Sequence, residues 1–90
     1  MPTIAAKDTL LSLWPLVFKG RDRTLSKEES EELGRLCEVL KKCIPALPGY
    51  GEEAKRFCVS LHDSGVFETG TIQDADTLLD KIDRLKHMLN

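Results

Sequence analysis

The sequence predicts an all-α fold, a small bundle of four to five helices forming one domain over residues 1–90. Three observations lead there. Ala75, Leu78, Ile82, Leu85 and Leu89 follow one another at steps of three, four, three and four, which holds a narrow apolar seam on one side of a helix. Ser26-Lys27-Glu28-Glu29 is a capping box ahead of a second periodic run. Between the two, residues 45–51 read Pro-Ala-Leu-Pro-Gly-Tyr-Gly, a break dense in prolines and glycines.

The first helix is expected from about Ile4 to about Phe18, with Leu10, Leu11, Trp14, Val17 and Phe18 sharing a face. Pro15 interrupts it. A proline ring inside a helix clashes with the carbonyl four residues earlier and donates no hydrogen bond. Either the helix kinks there or it ends at Trp14 and a short turn follows. Gly20 then frees the chain to turn, and Lys19 to Thr24 reads as a polar, basic loop. The capping box starts a helix to about Cys43, its buried face marked by Leu33, Leu36, Cys37, Leu40, Cys43 and Ile44. Its acids, Glu28 to Glu32, and its terminal Lys41 and Lys42 suit the helix dipole. After the 45–51 loop, a third helix runs from about Glu52 to Asp63 with Ala54, Phe57, Cys58 and Leu61 inward. Gly65 is a left-handed terminator, and Val66 and Phe67 in the following connector tuck back onto the core. Thr71 and Asp74 cap the last helix, which carries Arg84, Lys86 and His87 in its final turns.

Ninety residues suffice for one modest core. A hydrophobic share of 41% and a charged share of 31% exclude a disordered chain. No apolar run approaches the length of a membrane span. The N-terminus lacks a secretory signal pattern, and Pro2 stands where an N-myristoylation signal needs glycine. Cys37, Cys43 and Cys58 are odd in number and fall in apolar helical patterns, so they read as buried, reduced residues of an intracellular, cytoplasmic protein.

No catalytic motif stands out, and neither a cofactor nor a metal is expected. Cys58 and His62 share a helix face, but two ligands fall short of the three or four that zinc takes. Cys37 and Cys43, six apart, lie on opposite sides of their turns. Asp80 and Arg84 form an ordinary i,i+4 surface pair. The charge is uneven: residues 1–27 hold five Lys/Arg against two Asp/Glu, residues 28–90 eight against thirteen. The basic end suits an anionic surface or the acidic face of another copy, but its density is too low for nucleic acid. Lys19, Arg21 and Arg23 are its candidate contacts. Leu10, Leu11, Leu13, Trp14, Leu16, Val17 and Phe18 are too many apolar residues for one stripe, so some face outward or meet a partner. Trp14 and Phe18 are the candidates there.

From Cys37 onward the chain resembles a lentiviral Gag matrix domain. Pro45, Leu47, Gly51, Glu52 and Glu53, then Asp80, Lys81 and Ile82, stand in the order of that family's proline–leucine loop, glutamate-led helix and last helix. The resemblance covers a little over half the chain. It implies a helical structural domain of a viral protein that docks on membranes. The chain departs from the family in Met1-Pro2, where matrix domains begin Met-Gly for myristate, and in its sparse basic patch, so electrostatic docking alone would carry over. The residues together lead to a non-enzymatic helical interaction module whose partner is another protein or a second copy of itself. The alternative is a matrix-like domain on an anionic membrane.

Overall fold

In the computed structural model, which describes residues 2–42 and 49–89, five helices follow one another: α1 (Pro2–Asp22), α2 (Lys27–Lys42), α3 (Tyr50–Asp63), α4 (Val66–Thr69) and α5 (Ala75–Met88). The described residues contain no strand, so the all-α expectation holds. α1 packs on α5 and α2, α3 packs on the same two helices, and the single turn of α4 bridges α2 and α3. The radius of gyration, 12.1 Å, is that of a folded chain of this length, about 12 Å.

The seam of α5 is the centre of the core. Ala75, Leu78, Ile82, Leu85 and Leu89 are all buried, joined by Leu79. α2 contributes Leu33, Leu36, Cys37 and Leu40; α3 contributes Tyr50, Ala54, Phe57, Cys58 and Leu61. The capping box forms as the sequence predicts: the Glu29 amide donates to Ser26 Oγ at 3.1 Å, and the Ser26 amide donates to Glu29 Oε1 at 3.0 Å. Cys43, Ile44 and most of the expected 45–51 loop lie outside the described residues. Tyr50 and Gly51, read as the end of that loop, already belong to α3, which starts two residues ahead of Glu52.

Three further expectations are corrected. First, α1 spans 21 residues, Pro2–Asp22, and so runs past its expected end at Phe18; of the two readings at Pro15, the helix continues through it. Pro15 is on the exposed side. There the ring meets no neighbouring helix, and any bend it causes turns the helix toward the core. Second, Lys19, Gly20 and Arg21 are helical, so the basic loop shrinks to residues 23–26. Gly20 is buried because Ile72 presses on it: a Cβ there would sit 2.4 Å from Ile72 Cδ1. Third, the cap expected at Thr71 and Asp74 is absent. α5 begins at Ala75, and Asp74 precedes it in a left-handed conformation, φ 56°, without a side-chain capping bond.

The connector after α3 turns at two glycines. Gly65 and Gly70 have φ of 83° and 76° and flank α4, which buries Val66 and half-buries Phe67. The Leu25 amide donates to Gly70 O at 2.7 Å, tying the α1–α2 link to the α4–α5 link.

Candidate interaction surface

α1 is apolar on two sides. Its inner side is Ala6, Leu10, Leu13 and Val17, at steps of four, three and four, all at 1% exposure or less. Its outer side carries Ile4, Leu11 and Phe18, seven residues apart and 57%, 57% and 39% exposed. Seven residues are nearly two full turns, so the three stay in line with a drift of about 20° per step. Trp14 lies between Leu11 and Phe18, partly buried against the core edge, and its ring stacks on Phe18 with centroids 5.2 Å apart and planes 12° from parallel. The face expected from the sequence is therefore split. Leu10 and Val17 enter the core, Leu11 and Phe18 face solvent, and Trp14 spans the boundary. Val59 on α3 is the other large apolar side chain exposed among the described residues, at 58%.

The structure brings Lys19, Arg21 and Arg23 to one end of the bundle and gives each a carboxylate. Arg23 grips Glu29 with both guanidinium nitrogens, Nη1 to Oε1 at 3.1 Å and Nη2 to Oε2 at 2.9 Å. Lys19 Nζ is 3.6 Å from Glu29 Oε2, and Arg21 Nε is 3.1 Å from Asp76 Oδ1. Glu29 thus serves both the capping box and the ion pairs. The Arg23 guanidinium, with the Ser26 amide, holds its carboxyl down at about 2. These contacts fasten the end of α1 to the starts of α2 and α5, although all three cations stay about half exposed. Asp76 was missed because it lies 55 residues from Arg21 along the chain, and Glu29, only six from Arg23, was read only as part of the capping box. On α5 the described ion pair is Lys86 with Asp83 at 3.7 Å, in place of the Asp80–Arg84 pair expected.

Cys37 and Cys58 are both buried and free, with Cys58 Sγ 3.9 Å from Cys37 O. Interaction with the Cys58 thiol, then burial, pushes the Cys37 thiol up. Cys43 lies outside the described residues. His62 is exposed and its ring packs on Phe67 with centroids 4.6 Å apart. No three His, Cys, Asp or Glu among the described residues converge on a point where a metal ion would fit. Two open grooves flank the bundle, one between the end of α3 and the start of α5, the other between α2 and α4; neither is lined by a histidine or cysteine. No helix of the described residues is long and apolar enough to cross a membrane.

No family model, curated protein or solved structure matches this chain.

Proposed function

We propose that this protein is a non-enzymatic helical interaction module that self-associates through the outer face of α1. The carrying observation is the register of Ile4, Leu11 and Phe18 on the side of α1 turned away from the core, with Trp14 at the edge of that side stacked on Phe18. Apolar residues at such spacing are what a partner helix covers. A 21-residue helix is about 30 Å long and about 10 Å wide, so the face offers on the order of 300 Å². A stable interface takes about 800 Å² per partner. The association is therefore transient, in the micromolar range or weaker. Sedimentation equilibrium over a concentration series tests this. Leu11→Asp should give a monomer with an unchanged melting temperature, and Val59→Asp should leave self-association intact. A wild-type chain that stays monomeric to about 1 mM, or a Leu11→Asp chain that associates equally well, would end this reading.

The alternative is docking on an anionic membrane in the manner of a matrix domain, through Lys19, Arg21 and Arg23. It draws on the resemblance from Cys37 onward and on the half-exposed cations at one end. An anionic headgroup must there compete with Glu29 and Asp76, which makes self-association the better-supported reading. Vesicles rich in anionic lipid distinguish the two. Membrane docking requires binding that falls steeply with salt and is lost on reversing Arg21 and Arg23 to glutamate.

A further inference from the structure

We infer that the outer face of α1 takes a second copy of this chain in antiparallel register, about a two-fold axis at Leu11, with Lys7 of each copy over Trp14 of the other. The inference rests on the self-association proposed above and fixes its geometry.

Ile4 and Phe18 lie seven residues to either side of Leu11. Reversing one helix about Leu11 therefore sets each Ile4 level with the Phe18 of the other copy, about 10 Å from the centre on both sides. The smaller side chain meets the larger ring twice, and Leu11 meets itself, as a self-complementary two-fold patch requires. A parallel pair instead sets Phe18 against Phe18 and Ile4 against Ile4.

Charge separates the two arrangements more sharply. In an antiparallel pair, side chains on the same flank of the two helices meet. Lys7 and Trp14 share a flank and lie four residues before and three after Leu11, so the reversed copy brings them within one residue of the same level, about 1.5 Å. A lysine ammonium over an indole face is a favourable contact that strengthens as water leaves, and the two-fold axis makes it twice. On the opposite flank, Asp8 turns toward the basic end of the other copy, where Lys19 is half exposed. A parallel pair sets opposite flanks together, so Lys7 loses the indole, and it brings the Lys19, Arg21 and Arg23 ends of both copies together and aligns the helix dipoles.

The test is a spin-label distance. Asp22, the last residue of α1, is exposed and lies beyond the Ile4–Phe18 stripe. A nitroxide at Asp22→Cys, in a Cys43→Ser background with Cys37 and Cys58 buried, reports the separation of the two helix ends. Antiparallel packing about Leu11 puts the labels about 30–40 Å apart, because each end is eleven residues from the axis. A separation under about 20 Å, the parallel value, overturns the inference. So does a dimer in sedimentation that gives no distance in the antiparallel range; that outcome leaves self-association standing. A wild-type monomer overturns both. Lys7→Ala supplies a second readout at wild-type stripe residues. It should weaken the antiparallel dimer by about fivefold or more; an unchanged dimer overturns the Lys7–Trp14 contact.

Discussion

Gly20 and Gly70 are both places where a single methyl group decides the packing, but for different reasons. At Gly20 the obstacle is the tip of the Ile72 side chain, 2.4 Å from an added Cβ. At Gly70 the obstacle is backbone, Leu25 O at 2.8 Å, and the residue also has φ 76°. A side-chain tip yields by rotating; a carbonyl held by the link between α1 and α2 does not. Gly20→Ala should destabilise by about 1 kcal/mol, since overpacking outweighs the gain in helix propensity. In an Ile72→Ala background the sign should reverse, and urea unfolding of the four chains of this cycle measures the coupling. Gly70→Ala should cost more than Gly20→Ala, with no rescue from Ile72→Ala. Glu29 gives a pH prediction. Its folded value of about 2 lies below the ordinary 4.5, so its ion pairs stabilise the fold fully above the ordinary value. That contribution fades as pH falls toward 2. Glu29→Gln should therefore be less stable than wild type at pH 7 and show a flatter loss of stability between about pH 4.5 and 2, read by thermal melts.

At the scale of the element, α5 and α1 show what periodicity can and cannot carry. α5 has one apolar seam, widened by Leu79 and Met88, and polar residues elsewhere, so its spacing leaves one side to bury, and every seam residue is buried. α1 is apolar nearly all round. Spacing alone cannot decide between the face of Leu10 and Val17 and the face of Leu11 and Phe18; only the position of α5 and α2 does. Gly20 was read as a turn because glycine breaks helices in general, while here it answers to the close approach of Ile72. α4 is a single turn, too short for any period. The contrast has a measurable form. Ile82, fully buried, should lose about 2–4 kcal/mol on truncation to alanine. Leu11→Ala should stay within about 0.5 kcal/mol at concentrations where the chain is monomeric. Pro15 interrupts the hydrogen bonding of α1 on its exposed side. Pro15→Ala restores a donor for the Leu11 carbonyl and removes the ring clash. It should raise stability by roughly 1–3 kcal/mol in urea unfolding. A lowered stability would mean that the packing of α1 on α5 depends on the bend.

At the scale of the molecule, the apolar half of the candidate surface was legible as an excess of large residues near Trp14 and Phe18, and the basic half as a charge asymmetry. The pairing of Lys19, Arg21 and Arg23 with Glu29 and Asp76 was not, because Asp76 comes from a helix more than fifty residues away. The same long-range closure governs access to the cysteines. Cys37 and Cys58 face each other across α2 and α3, each about 1% exposed. A thiol reagent reaches them only when α2 and α3 part. α5 packs on α3, and α1 on both α2 and α5, so that parting requires the whole bundle to open. In a Cys43→Ser chain, labelling of Cys37 and Cys58 should then follow global stability. Ile82→Ala, though it lies on α5, should speed labelling about 30-fold to several-hundred-fold, the factor its 2–4 kcal/mol implies when reclosing outpaces reaction. Pro15→Ala should slow it. If labelling is indifferent to both substitutions, α2 and α3 separate locally and the bundle is not a single cooperative unit.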